Sequence, residues 1–304
     1  MTRRNVVASW VIATLLSLSG NAAAQTASIT GVIRDAATGV PVASVVVQAT
    51  SGDRPGVLSS SRADGTYTIA GGGTGRLGSS AANQELIFAV QSGTLTVDAI
   101  FAGNSAITKT GAGTLVLGGT NTSNGTYFIN QGVLRLNNAA ASGAAPSVAG
   151  GLGTFVQNGA ALELTGGFAF TDKERVMMSG TGVSNGGALR SISGINTWRG
   201  FVEIAMGGAR INNDSSGLFT LNNGITTLAG GDVTFGGTGD ITVTARTTDF
   251  RFGSGNAING GGGLIKDGAG ILTLSGRNNY SGNTTVSAGT LILADDASLG
   301  FTLG

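Results

Sequence analysis

The chain has no cysteine and no histidine, only three prolines, and charge on just 11% of its 304 residues. Without cysteine it has neither a disulfide framework nor a thiolate metal site. Without histidine, a Ser-His-Asp triad, a Cys-His dyad and His-ligated zinc are all excluded. Any catalysis would rest on Asp, Glu, Lys, Tyr or Ser. The scarcity of proline, beside 54 glycines, rules out both collagen and proline-rich disorder. A net charge of +1 with no long basic run gives no footprint for nucleic acid. The hydrophobic share, 41%, is the opposite of a disordered tail's balance. The length admits two ordinary domains or one extended array.

Internal repetition decides for the array. The stretch KDGAGILTLSGRNNYSGNTTVSAGTLILADDASLG, from Lys266 to Gly300, has an earlier copy from Lys109 to Gly143, KTGAGTLVLGGTNTSNGTYFINQGVLRLNNAAASG. The two superpose without a gap at an offset of 157 positions, Lys266 against Lys109. A degenerate copy, ISGINTWRGFVEIAMGGARI, spans residues 192–211 and pairs Asn196 with Asn278 and Trp198 with Tyr280. Short alternating strands punctuated by Gly and Asn, recurring in a fixed cassette, mark a solenoid.

Residues 1–24 read as an export signal. Arg3 and Arg4 form a positive n-region, residues 6–18 an apolar core, and Ala22-Ala23-Ala24 a cleavage site before Gln25. Residues 25–75 have a different texture: SITGVIRD, VASVVVQATS and YTIAG read as strands separated by turns. A Gly/Ser-rich hinge follows. From Asn83 onward the texture becomes uniform, with strands such as LIFAV, TLVL, GVLRL, ITVTA and LILA carrying apolar residues at i and i+2. This predicts a parallel β-helix with Leu/Ile/Val columns inside. Gly and Asn take the corners, Gly for its positive φ, Asn to bond its neighbour up the stack. Some 220 residues at roughly 20 per coil predict about eleven coils and, at ~4.8 Å per coil, a rod on the order of 50 Å long.

Two family resemblances rest on these stretches. SITGVIRDAATGVPVASVVVQA followed by RADGTYTI resembles the carboxypeptidase-regulatory-like, transthyretin-type β-sandwich, a non-catalytic module. KTGAGTLVLGGTN and KDGAGILTLSGRNNYSG, each leading to G-x-L-x-L, resemble the autotransporter-associated β-strand repeat, also called the passenger-associated transport repeat. The expected organisation is therefore a signal peptide (1–24), a sandwich segment, complete or not (25–75), and a β-helical passenger (76–304). Its repeats lie at 107–143 and 264–300, with the degenerate copy at 192–211. The resemblance implies a right-handed parallel β-helix, exported to the bacterial surface, whose repeats assist folding and translocation. It also implies an outer-membrane translocator, either the protein's own C-terminal β-barrel or a separate one. No stretch here resembles such a barrel, so the expectation is a fragment of a longer reading frame or a passenger exported by another route. A cell-surface protein or glycan is the expected ligand class.

The alternative is a secreted polysaccharide lyase or hydrolase, since β-helices host such enzymes on clustered carboxylates. The candidates are Asp172 with Glu174, Glu203, Asp214, Asp232 with Asp240, Asp249, and Asp295 with Asp296. None forms a repeated constellation beside a basic cluster, and solvated turns explain them better. Gly230-Gly231-Asp232 and residues 236–240 echo a calcium nonapeptide but lack its nine-residue period. Lys109 and Lys266 read as edge charges that block unwanted pairing. Tyr127, Phe128, Trp198, Phe201 and Tyr280 are a possible sugar-stacking stripe, with packing over a corner the better reading and Trp198 and Tyr280 at one corner. No catalytic, cofactor-binding or metal-binding residue is assigned, and no cofactor is expected.

Overall fold

The computed structural model describes residues 85–143 without 105, and 153–294 without 171–174, 229 and 246–254. It also describes the backbone of five short strands between Ile33 and Leu77. The signal segment 1–24, most of 25–75, and Asp172, Glu174, Asp249, Asp295 and Asp296 lie outside these residues.

Strands Glu85–Val90, Thr94–Val97 and Ile100–Phe101 follow one another around a coil. They do not pair with each other. Glu85–Val90 pairs in parallel with Ala106–Thr110, and Thr94–Val97 with Thr114–Leu117. Repeated along the chain, this gives a parallel β-solenoid with three walls. Among the described residues from Glu85 onward, first-wall strands begin at Glu85, Ala106, Tyr127, Thr154, Val176, Val202, Ile225, Asn256 and Arg277, nine coils. Second-wall partners run from Thr94–Val97 to Thr284–Val286. The third wall is continuous from Ala169–Phe170 to Thr290–Leu293. Below the first coil, Gly56–Ser60 and Thr66–Ile69 extend the first two walls in parallel. Val45–Gln48 and Ile33–Asp35 then edge them antiparallel.

The expectation of about eleven coils is corrected by coil length. Successive coils start 21 residues apart at Glu85, Ala106 and Tyr127, but 31 apart from Ile225 to Asn256. The middle coils are longer in sequence, whereas the coils that open at Ala106 and Asn256, where the repeat copies begin, keep the 21-residue spacing.

The alternating pattern makes the core, because i and i+2 face the same way. On the second wall Leu95, Leu115, Leu134, Leu162, Leu189, Ile211 and Phe235 stack directly above one another, all buried. On the third wall Phe170, Trp198, Leu221, Val243 and Leu274 do the same. Each such side chain contributes about 1.5–3 kcal/mol by leaving water.

The two repeat copies do not occupy the same walls. Leu115 and Leu117 of the first copy lie on the second wall, whereas their counterparts Leu272 and Leu274 lie on the third. The second copy is rotated by one wall around the solenoid axis. The degenerate copy behaves likewise: Trp198 is on the third wall and Tyr280 on the first. Both rings are fully buried, so they belong to the core and not to one shared corner.

Corner geometry survives this rotation. Gly132 has φ +70° and Gly289 φ +71°. A Cβ on Gly132 would collide with the carbonyl oxygens of Gly111 and Gly113, and one on Gly289 with those of Gly268 and Gly270, the same positions of the repeat. Gly132→Ala therefore meets both a left-handed backbone and a backbone collision, and a loss of roughly 2–4 kcal/mol is expected. Gly103→Ala isolates the first effect, since Gly103 has φ +89° but open space around it. There the expected loss is about 1 kcal/mol. Urea unfolding of both variants checks the ordering; equal losses would contradict it.

Candidate functional site: buried lysine brackets and inter-coil carboxylates

Lys109 and Lys266 are charged residues that the repeat buries. Lys109 lies between Phe88 and Ile129 in an interior column of the first wall, and Lys266 between Phe235 and Val286 on the second. Both are buried. The expected edge-blocking role is thereby corrected, for each lysine faces the core. The physical reason is parity: Ile107 with Lys109, and Leu264 with Lys266, sit at i and i+2 of one strand.

What makes this burial tolerable is the corner. The Lys109 Nζ donates to the carbonyl oxygens of Thr110 (2.9 Å), Gly111 (2.6 Å) and Gln131 (3.0 Å). An ammonium has three donors and no acceptor, so three carbonyls saturate it. The Lys266 Nζ donates to Gly268 O and, at 3.4 Å, to Ala288 O. In repeat coordinates Gly111 matches Gly268 and Gln131 matches Ala288. Each lysine thus brackets its own turn and the turn of the following coil. Burial lowers the Lys109 pKa to about 8. Lys266 is lowered too, chiefly by burial, with Arg210 acting the same way and Asp267 and Asp240 opposing.

Asparagine does the complementary work. Asn121 Oδ1 accepts from Phe101 N–H at 2.8 Å, and Asn278 Oδ1 accepts from Ile258 N–H at 2.8 Å, each 20 residues back. Asn196 Oδ1 accepts from the N–H groups of Gly167 and Phe168, both at 3.1 Å. These are the three asparagines the repeat alignment superposes, and each reaches one coil back. They are buried ladder residues; among the described non-glycine residues positive φ falls only on Ser184 and Asn185.

The described candidate carboxylates are likewise engaged between coils. Glu203 pairs with Arg175, whose Nε lies 2.7 Å away. Asp214 pairs with Arg190. Asp232 Oδ1 accepts from Gly263 N–H at 2.6 Å, and Asp240 Oδ1 from Ile271 N–H at 2.8 Å. The structure does not gather these four into one constellation. It gathers residues that the sequence reading passed over. Arg135 holds Glu163 through Nε (2.9 Å) and Nη2 (2.7 Å), and Arg190 reaches the same Glu163 at 3.3 Å before pairing with Asp214. On the same wall Arg210 grips Asp267 with two bonds of 2.6 and 2.8 Å, lying across Gly236, where a Cβ would meet its guanidinium. Uneven coil lengths of 27 and 28 residues between Arg135, Glu163 and Arg190 hide this ladder from any fixed period.

The aromatic stripe divides in two. Tyr127, Trp198 and Tyr280 are core residues, and the Tyr280 hydroxyl lies 2.6 Å from Thr284 Oγ1. Phe128 faces outward, stacked on Phe155 at 5.4 Å and 19°, and Arg175 lies over Phe155 at 5.7 Å. These ring faces are turned to one another and to a guanidinium, so they offer edges rather than flat faces to a sugar. Phe201 is half-buried at the start of the coil that follows.

Fold and corners together define a repeat-built parallel β-solenoid held by polar brackets between coils. Comparison with known proteins places the repeats. The family model described as passenger-associated transport repeat matches residues 107–136 and 264–293, so the chain carries two copies of it. The chain is 30% identical over 284 residues to the "Adhesin BmaC autotransporter" of Brucella suis biovar 1 (strain 1330), covering 80% of this chain and 8% of that protein. It is 45% identical over 56 residues to the "Neisserial autotransporter lipoprotein NalP" of Neisseria meningitidis serogroup B (strain MC58), covering 18% of this chain and 5% of the relative. The chain therefore spans less than a tenth of the curated relatives it matches. No solved structure matches it.

The lysine sets a pH dependence whose sign follows from linkage. The unfolded side chain titrates near 10.5 and the folded one at about 8, so between those values the unfolded state holds more protons. Stability then rises with pH across that window and is level below it, by up to about 3 kcal/mol for this group. The expected result is a wild-type urea midpoint that climbs from pH 8 to 10.5 more steeply than that of Lys109→Met. Parallel curves would show that Lys109 titrates alike in the folded and unfolded chain, its three carbonyls offsetting the cost of burial in full.

Proposed function

We propose that the chain is a segment of an exported bacterial passenger, a non-catalytic β-solenoid rod that displays its outward surfaces for adhesion. The observation that carries this reading is the coincidence of the two passenger repeats with the bracketed corners of an uninterrupted parallel stack. In this reading Met1–Ala24 directs export, and residues 25–75 form the leading segment, whose strands Gly56–Ser60 and Thr66–Ile69 run on into the first two walls. The rod stands at the cell surface, joined to an outer-membrane translocator, its own β-barrel or a separate one. The ligand is a surface protein or glycan. The Brucella relative, named as an adhesin, supports the same assignment.

Against the alternative enzyme stands the engagement of Glu203, Asp214, Asp232 and Asp240, each already bonded to an arginine or a backbone N–H. A general acid or nucleophile needs a carboxylate facing substrate. The test is to display the chain on bacteria through a fused autotransporter β-barrel. Adherence to glycan arrays and matrix proteins is then scored against the barrel alone, with released reducing ends and unsaturated uronates assayed in parallel. The expected outcome is adherence without turnover. Polysaccharide cleavage that disappears on Asp→Asn substitution would replace the rod with the lyase or hydrolase.

A further inference from the structure

We infer that the lysine bracket is a coupling device: each repeat joins the coil that carries it to the next so that the two open as one unit, at whichever corner the repeat falls. The inference goes beyond the rod reading and holds equally for a solenoid of any other activity.

Three observations converge on it. The first is the span. Lys109 and Lys266 each bond two residues ahead, within their own turn, and 22 residues ahead, on the following coil. Opening either coil strands polar groups on the other. If the lower coil opens, Gln131 O loses its ammonium; if the upper coil opens, the ammonium loses an acceptor. Corner carbonyls turned inward have no sheet partner to replace it, and an unpaired buried polar group is costly.

The second is the fit of the glycine that closes the bracket. Gly132 sits over Gly111 and Gly113 so tightly that no side chain is admitted, and Gly289 sits over Gly268 and Gly270 in the same way. The upper turn therefore has one seating on the lower, which fixes the register of two consecutive coils. Val133 N–H then bonds Gly113 O at 3.2 Å, and Thr290 N–H bonds Gly270 O at 3.5 Å.

The third is the rotation of the second copy. In the first copy the bracket joins the first wall to the second; in the other it joins the second to the third. The neighbours differ, Phe88 and Ile129 in one case, Phe235 and Val286 in the other. Two bonds are nonetheless shared, to Gly111 or Gly268 in the lysine's own turn and to Gln131 or Ala288 on the following coil, while Lys109 adds a third to Thr110. The device belongs to the repeat and not to a particular wall of the solenoid. Outer ion pairs such as Arg135–Glu163 also cross between coils, but Arg135 is a third exposed and its pairing is screened by water and salt.

The experiment is native-state hydrogen exchange on the full chain, wild type against Lys109→Met, Lys266→Met and Arg135→Met. In the wild type, amides of Ala106–Thr110 and Gly132–Leu136 are expected to share one opening, with protection factors within about threefold of each other. In Lys109→Met the two segments should separate by about tenfold or more, while Arg135→Met leaves them together. Lys266→Met repeats the test on Leu264–Lys266 against Thr290–Leu293. It lies in the last two described coils, so the preceding coils keep their contacts even if Lys109→Met fails to fold. A uniform fall in protection of both segments, in either lysine variant, would overturn the inference and leave the lysine as a contributor to stability alone.

Discussion

A parallel solenoid satisfies its strands easily and its corners with difficulty. Along each wall the ladder above and below supplies every backbone partner, but at each corner the chain turns and points some carbonyls and N–H groups inward, out of reach of water. The rest of this structure depends on how those groups are met. Lysine serves the carbonyls and asparagine the N–H groups, each from inside the core and each reaching into an adjacent coil. Glycine makes room for them. The interior is therefore not purely apolar, and its polar members sit where the backbone needs them.

This explains why the sequence repeat and the structural repeat differ. A coil is three walls, yet the cassette from Lys109 to Leu136 covers one coil and most of two walls of the next. What recurs in sequence is a strand, a bracketed turn and the turn that seats on it. Such a unit has no preference among corners, because its bonds run to backbone atoms present at all of them. Rotation by one wall between the copies follows without strain, and the longer middle coils shift the phase.

The parallel solenoid was legible from alternation and from glycine placement, since Leu115/Leu117 and Leu272/Leu274 can face a core only in a strand. The burial of Lys109 was legible as well, through its parity with Ile107, but a rule that keeps lysine at the surface outweighed it. That rule fails here because three carbonyls replace water around the ammonium. The salt-bridge ladder was not legible: Arg135, Glu163 and Arg190 become neighbours only after coils of unequal length have been stacked. Nor was the placement of Tyr280 and Trp198 on different walls, because a sequence offset carries no information about phase around the axis.

The same separation of inside from outside decides what the molecule presents to its surroundings. Its interior lysines and asparagines are committed to corners and its described acidic candidates to neighbouring coils, which leaves the outward columns as the surface the coils present. These differ by wall. The first carries Phe128, Phe155 and Met177, the second the alternating Arg135, Glu163 and Arg190, and the third a register of Thr197, Thr220, Thr242 and Thr273. Each column is one residue wide, spaced by the strand separation, and fixed in position by the core behind it. The described coils of the rod thus present linear arrays. The polar corners are what hold the coils in that register, and so they connect the cassette in the sequence to the surface the rod displays.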